Sequence, residues 1–178
     1  MDYTIRTILY ATDLGQHGPM IFGHAFSLAK QFNAKVNILH VVEPLTEYAR
    51  SLVDIYVTPE IQEERRREVQ ESALKEMHRR LDIFFKDKLH ADAHTVLADM
   101  QVIEGLPAQV ILDEAKRLNA DLIVLGSHGR TALGEMFIGS VAHKVTVKST
   151  IPVLLVPIPR INSRIHRYPC VQSKAGPR

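Results

Sequence analysis

The chain has 178 residues, of which 46% are hydrophobic and 24% are charged, a balance typical of a water-soluble globular domain with one well-buried core. It contains no apolar run of roughly 18 residues, and its first residues lack the basic and apolar regions of a secretory signal, so we expect neither a membrane span nor export. Its one cysteine, Cys170, excludes an internal disulfide, and we expect a cytoplasmic protein.

The charges are distributed unevenly along the chain. No Asp or Glu follows Glu135, whereas seven Lys and Arg residues do, although the net charge of the whole chain is only +2. A basic C-terminal part suits a bound polyanion or contact with an acidic surface, but solubility alone can also account for it. We therefore give this asymmetry little weight.

Strand and helix patterns alternate along the chain. In chain order, they predict a strand at 5–11, a helix at 19–32, a strand at 35–42, a long helix at 60–88, a strand at 94–103, a helix at 107–118, a strand at 121–125, a helix at 139–149 and a strand at 153–156. Residues 45–59 have no clear period and contain Pro59, so we predict a loop that can contain helical turns. Five short strands separated by helices indicate a single α/β domain, with an open, mainly parallel sheet and helices on both faces.

The long helix at 60–88 is amphipathic and highly charged. Its predicted apolar stripe consists of Val69, Ala73, Met77, Leu81 and Phe84. The predicted ion pairs, each between residues four positions apart, are Glu63–Arg67, Glu71–Lys75, Glu76–Arg80 and Asp82–Lys86. The three consecutive arginines at 65–67 could bind an anion, but we favour a solvated face that is balanced by its own glutamates.

Ligands of parallel α/β sheets bind at the carboxyl ends of the strands, where the strand order reverses. Two predicted strand ends carry suitable chemistry. Asp13 follows the first strand, and the glycine-spaced segment 126–140 follows the fourth. We therefore expect a site between these two loops.

The segment 126–140 has features that phosphate binding requires. Gly126 and Gly129 allow the backbone to turn sharply and to approach a ligand closely, and Gly139-Ser140 opens a helix whose first N–H groups can meet phosphate oxygens. Arg130 could add charge-assisted hydrogen bonds. Neither GxxxxGK[ST] nor GxGxxG is present, so these residues alone predict a generic anion cradle.

The spacing within this segment carries a family resemblance. Gly126, Gly129, Gly139 and Ser140 form the series Gly, two residues, Gly, nine residues, Gly-Ser, without a gap. This series and its flanking runs resemble the ATP-binding branch of the universal stress protein family, and the likeness covers roughly residues 3–158.

The resemblance implies an ATP site at the carboxyl edge of the sheet. Asp13 matches the acidic residue that family members place near the ribose or the base, and Ala11 and Val41 match backbone positions beside the adenine. The positions that match the phosphate-contacting segment are Gly126, Gly129, Arg130, Gly139, Ser140 and Val141. Mg²⁺ could arrive with the nucleotide.

The resemblance also implies a sheet of order 3-2-1-4-5 and a homodimer through the last strand, Val153 to Val156. In a monomer this strand would be an exposed apolar edge, and pairing with its copy would remove that liability. We expect residues 1–158 to form the domain and residues 159–178 to form a flexible basic tail. The chain departs from the family after Asp13, because Leu14-Gly15 replaces the usual small residue and Ser.

Several of these side chains also have simpler structural interpretations. Asp13 could cap the following helix or stabilise its own turn, although we favour ligand contact. We expect His128 to maintain loop geometry and His40 to lie in the core or at its rim. The scattered histidines and the single cysteine do not form a metal-binding pattern.

The resemblance implies a nucleotide-dependent stress-response sensor or adaptor with an unidentified protein partner. We do not expect a dedicated enzyme, because no Ser-His-Asp order, paired-carboxylate signature or nucleophile elbow is present. Phosphoryl transfer would need a water-orienting base and charge clamps at the γ-phosphate, for which Asp13, His128 and Arg130 are only loose candidates. A slow ATP-hydrolysing regulatory enzyme is the alternative. Binding of nucleic acid or of a membrane surface by the basic tail ranks last, because Tyr168 is the one aromatic residue in the tail.

Overall fold

Five strands form one sheet in the computed structural model, which describes residues 4–87, 93–128 and 138–158. The strands are β1 (Thr7–Thr12), β2 (Lys35–Val42), β3 (Leu97–Glu104), β4 (Leu122–Gly126) and β5 (Val153–Val156). Their order across the sheet is β3-β2-β1-β4-β5, and every neighbouring pair is parallel. The predicted α/β fold and strand order are confirmed.

Helices connect the strands and cover both faces of the sheet. They are α1 (Gly18–Phe32), α2 (Glu47–Tyr56), α3 (Pro59–Asp87), α4 (Ala93–Val96), α5 (Pro107–Arg117) and α6 (Ser140–Lys148). A proline in the first turn favours the start of α1 and of α5, because its missing N–H is not needed there. Asn33, with a left-handed φ of 53°, ends α1.

Each face of the sheet buries its own hydrophobic cluster, because successive side chains of a strand point to opposite faces. Ile8 and Tyr10 of β1 pack on the face that α1 and α3 cover, whereas Leu9 and Ala11 pack on the face that α5 and α6 cover. Ile8 and Leu9 are at most 1% exposed, and such burial stabilises the fold by about 1.5–3 kcal/mol for each side chain. The continuous apolar runs of these strands follow from this two-sided coverage.

Aromatic rings join α1 to α3. Phe22 and Phe26 of α1 lie 5.0–6.1 Å from Phe84 and Phe85 of α3, measured between ring centroids, with interplanar angles of 66–85°. Such edge-to-face pairs stabilise a core beyond simple burial. These contacts pack the C-terminal half of α3 against α1, the helix that follows the loop after β1.

The predicted apolar stripe of α3 is confirmed from Ala73 to Phe84. Its predicted start is wrong, because the side chain of Val69 is 47% exposed. No described residue between Pro59 and Ser72 is buried. The N-terminal half of the helix therefore extends past the core, where an apolar residue has nothing to pack against.

Two predicted segments differ from the structure. Residues 47–56, which were predicted as a loop that can contain helical turns, form one continuous helix, α2: Thr46 caps the helix by accepting from the Ala49 N–H, but no residue of α2 is buried. Residues 93–96 form a single helical turn, so β3 begins at Leu97 and not at 94. Leu97 pairs with Val36, and β2 begins only one residue earlier, at Lys35. Residues before Leu97 would therefore have almost no part of β2 to pair with.

The arginines at 65–67 are balanced by nearby glutamates, as the favoured interpretation predicts. Their ion pairs are Arg65–Glu68, Arg66–Glu63, Arg66–Glu104 and Arg67–Glu63. The predicted pairs Glu71–Lys75 and Glu76–Arg80 also form, while the Lys86 side chain lies outside the described part. No helix in the described ranges combines the length and apolar character that crossing a membrane requires.

Candidate functional site

The strand order reverses at β1 and β4. These neighbours pair from Ile8–Leu122 to Tyr10–Val124, and each strand continues for two further residues, to Thr12 and Gly126. The chain leaves β1 towards α1 on one face and enters β4 from α5 on the other. Such a reversal opens a crevice at the carboxyl edge of the sheet, where α/β proteins bind ligands.

Three predicted contact residues meet on one side of this edge. Ala11, Val41 and Val141 belong to the same hydrophobic cluster, on the face that α5 and α6 cover. Ala11 is buried, whereas Val41 and Val141 are half-buried. All three residues therefore pack on the same side of the sheet.

Asp13 lies in a tight turn directly after β1. Its Oδ1 accepts from the Gly15 N–H at 2.8 Å, and the Thr12 Oγ1 accepts from the Leu14 N–H at 3.1 Å. The carboxylate is exposed, and its Oδ2 accepts no hydrogen bond from the described residues. Asp13 therefore stabilises its own turn, does not cap α1, and keeps one oxygen available to a ligand.

Gly126 ends β4 in a crowded position. A Cβ at this residue would lie 2.8 Å from the Ile21 Cδ1 and 2.9 Å from the Ile158 Cδ1. A side chain added at this position would therefore have to displace the ends of the Ile21 and Ile158 side chains. Sequence reasoning had assigned the glycine to a sharp turn and close ligand approach alone, because the approach of Ile21 and Ile158 exists only in the folded chain.

Gly139 and Ser140 open α6 as predicted. The Gly139 N–H donates to the Ser127 O at 2.8 Å, and the His143 N–H donates to the Gly139 O at 2.8 Å. Between them, the N–H groups of Ser140 and Val141 find no acceptor among the described residues. Together with the helix dipole, these donors favour an anion at this helix end. Gly129 and Arg130 lie outside the described residues.

The two histidines near the edge have structural partners. His128 Nδ1 is hydrogen-bonded to the Ser127 Oγ at 2.9 Å, and His40 Nδ1 donates to the Thr12 O at 2.8 Å. Both rings are half-buried. These contacts agree with the predicted roles in loop geometry and at the rim. Among the described residues, no group of three or more His, Cys, Asp or Glu side chains is placed to hold a metal ion.

Arg80 reaches this edge from α3 and was missed by sequence reasoning. Its Nη1 donates to the Gly15 O at 2.5 Å, across 65 positions of sequence. The one available signal was its place beside the apolar stripe, three residues after Met77 and four before Phe84. It was read instead as the surface partner of Glu76, with which it also pairs.

The five-stranded parallel sheet, with its strand order reversing between β1 and β4, defines a single-domain, Rossmann-like α/β protein. The model of the universal stress protein family matches residues 4–157. The chain belongs to this family. It is 37% identical to the universal stress protein YxiE of Bacillus subtilis over 150 residues, which are 84% of this chain and 97% of YxiE. It is 33% identical to a universal stress protein of Thermus aquaticus over 85% of this chain and 98% of that protein.

Solved structures agree with this assignment. The structure of MJ0577, a universal stress protein of Methanocaldococcus jannaschii, matches with a TM-score of 0.68 and 29% identity over 90% of this chain and 99% of that one. The universal stress protein UspA of Lactobacillus plantarum matches with a TM-score of 0.66 and 23% identity over 86% and 98% of the two chains. A universal stress protein in complex with cAMP shares the fold at a TM-score of 0.55 and 20% identity, over 86% of this chain and 97% of that one.

Proposed function

We propose that this chain binds ATP at the carboxyl edge of its sheet and acts as a nucleotide-dependent stress-response sensor or adaptor. The observation that carries the proposal is the arrangement at the reversal point. The Asp13 turn and the N-terminus of α6 follow two neighbouring strands. The N–H groups of Ser140 and Val141 at this helix end have no acceptor among the described residues, and Ala11, Val41 and Val141 pack on one face of the sheet. These features suit a base, a ribose and a phosphate chain.

Each part of ATP has a matching partner in this proposal. The adenine packs beside Ala11 and Val41, whose backbone groups can hydrogen-bond its edge. The Asp13 Oδ2, which accepts no hydrogen bond from the described residues, accepts from a ribose hydroxyl. The phosphates lie at the N-terminus of α6, where Ser140 can add its hydroxyl, and the family resemblance assigns further phosphate contacts to Gly126, Gly129 and Arg130. Mg²⁺ would accompany the phosphates and balance their charge.

Family membership supports an adenine nucleotide as the ligand. The universal stress protein in complex with cAMP has this fold, so an adenine nucleotide is bound within the same architecture. The series Gly126, Gly129, Gly139 and Ser140 is typical of the branch that binds ATP. We propose a cytoplasmic protein, a homodimer through β5 and a protein partner that senses the nucleotide-bound state.

The described residues of the site suit phosphate binding better than phosphate hydrolysis. Backbone donors at a helix N-terminus stabilise ground-state charge. Phosphoryl transfer also needs a base that orients water and a clamp on the γ-phosphate. Among the described residues of this edge, Asp13 already binds its own turn and His128 binds Ser127. We therefore propose binding, with hydrolysis at most slow.

Thermal unfolding with and without ATP–Mg²⁺ tests the proposal. ATP at a hundred times its dissociation constant should stabilise the native state by about 2.7 kcal/mol, which raises Tm by roughly 5–10 °C. Gly139→Val should abolish the shift, because a side chain at the helix N-cap blocks the phosphates. Its φ of −55° is accessible to valine, so the fold should persist.

Gly23→Ala is the matched control, because Gly23 lies within α1 on the opposite helix layer; it should keep the full shift. No shift for the unmodified chain at millimolar ATP would contradict the proposal. Phosphate release well above background that is lost in Asp13→Ala would point to an ATP-hydrolysing enzyme.

A further inference from the structure

Gly15 is held from both sides by ionic side chains. Its N–H donates to the Asp13 Oδ1 at 2.8 Å. Its carbonyl oxygen accepts from the Arg80 Nη1 at 2.5 Å and from the Gly18 N–H at 3.1 Å. A carboxylate that follows β1 and a guanidinium from α3 thus fix the same residue.

The turn that carries Asp13 needs such external support. Leu14 has a left-handed φ of 55°, a conformation that an L-residue with a Cβ adopts only when its surroundings impose it. A Cβ on Gly15 would lie 2.8 Å from the Asp13 Oδ1, so the turn is also tightly closed. Arg80 supplies a contact from outside the turn that keeps it in this shape.

Arg80 is itself firmly oriented. Its Nε donates to the Glu76 Oε1 at 2.6 Å, and Arg79 binds both carboxylate oxygens of Glu76 at 2.7 Å. These two arginines lower the pKa of Glu76 to about 2, so the carboxylate stays ionised near neutral pH. The Arg80 side chain is only 24% exposed, and the buried neighbours Met77 and Leu81 anchor its turn of α3.

We propose that Arg80 is a positioning residue for the nucleotide: it holds the Asp13–Gly15 turn in the conformation that presents the Asp13 Oδ2, which no described residue occupies, to the ribose hydroxyls. This inference rests on the proposed ATP site. It also couples α3 to the ligand, because whatever shifts Arg80 shifts Asp13. By linkage, nucleotide binding then restrains α3 to the same extent.

The ratio of two dissociation constants tests this role. ATP offers both ribose hydroxyls, whereas 2′,3′-dideoxy-ATP offers neither, so the ratio of their dissociation constants reports the contacts made to these hydroxyls. A charge-assisted hydrogen bond should make ATP bind about tenfold more tightly than the dideoxy analogue. Asp13→Ala should reduce the ratio to about one.

Arg80→Met should reduce the same ratio most of the way towards one, because methionine keeps the apolar packing of α3 but releases the Gly15 carbonyl. Arg80→Lys should restore part of it. Arg79→Met is the matched control: Arg79 binds the same Glu76 but donates no hydrogen bond to the described part of the loop, so the ratio should not change.

The possible outcomes separate the two proposals. If the unmodified chain binds neither nucleotide, the ATP site itself is wrong. If the unmodified chain binds ATP but Arg80→Met leaves the ratio unchanged, for instance by weakening the binding of both nucleotides equally, Arg80 has only a structural role. Should Arg80→Met not fold, Glu76→Gln, which loosens Arg80 without removing it, must lower the ratio for the inference to stand. An unchanged ratio in Asp13→Ala would also overturn it.

Discussion

At the scale of single residues, the buried Tyr10 of β1 makes a hydrogen bond that ties the core to the start of α1. The Tyr10 hydroxyl donates to the Gly18 O at 2.9 Å, at the first turn of α1. Tyr10 is only 3% exposed, and this burial raises the pKa of its hydroxyl to about 12. A buried phenol that is neutral in the folded state cannot ionise without cost, which makes the fold sensitive to alkali.

We expect Tyr10→Phe to change the alkaline limb of the stability profile. Below pH 10 the phenol is neutral in both the folded and the unfolded state, so its contribution to the stability of the fold is fully present. Above pH 10 the unfolded chain ionises first, and about 3 kcal/mol of stability is lost as the pH approaches 12. Tyr10→Phe should cost about 1 kcal/mol at pH 7, because a hydrogen bond is lost, but it should lose less stability between pH 10 and 12.

Urea unfolding at a series of pH values measures this difference. Tyr56→Phe is the control, since Tyr56 is 82% exposed and should follow the unmodified chain. Parallel alkaline limbs for the unmodified chain and Tyr10→Phe would contradict the expected role of Tyr10.

At the scale of elements, α2 differs from the rest of the fold because it packs no side chain into the core. Its apolar residues Tyr48, Leu52, Ile55 and Tyr56 are 42–82% exposed. A helix of ten residues is marginal in isolation, so its stability depends on local features. Thr46, which caps the helix through the Ala49 N–H at 3.3 Å, is the main one.

We expect Thr46→Ala to open α2 without unfolding the protein. Loss of an N-cap costs about 1 kcal/mol, which should speed amide hydrogen exchange across residues 47–56 by roughly fivefold. The urea midpoint of the whole protein should not move. Ser51→Ala, in the middle of α2, is the control and should not accelerate exchange. A fall in global stability for Thr46→Ala would show that α2 is coupled to the core.

At the scale of the whole molecule, β5 forms one edge of the described sheet. The Pro152 and Val156 carbonyl groups accept from Ile123 and Ser127 on the β4 side. Because successive backbone groups alternate in direction, those of Val153 and Leu155 face the open edge. An apolar edge of this kind is a template for pairing with another strand.

The proposed homodimer predicts that the amides of Val153 and Leu155 become protected as the protein concentration rises. Hydrogen exchange at two concentrations about a hundredfold apart, with sedimentation equilibrium on the same samples, measures this. The amide of Leu154, which faces β4, is the internal control and should be protected at both concentrations. A monomer at micromolar concentration with unchanged exchange would exclude a dimer through β5.

Much of this fold could be predicted from sequence because its signals are local. The apolar runs of β1, β2 and β4 and the period of α1 each lie within about fifteen residues, and buried strands covered on both faces read as continuous apolar segments. The predicted strand order came from a family resemblance. α2 was predicted only as helical turns within a loop, because residues 45–59 were read as having no clear period and contain Pro59.

The sequence by itself determined the alternation of strands and helices, and it brought Asp13, Gly139 and Ser140 forward as candidate ligand contacts. Only the tertiary structure decided that Ala11, Val41 and Val141 share one face, that Ile21 and Ile158 pack against Gly126, and that Arg80 holds Gly15. The physical reason is distance along the chain. Periodicity and spacing record interactions between near neighbours, whereas a contact across 65 positions exists only once the core has brought α3 against the loop after β1.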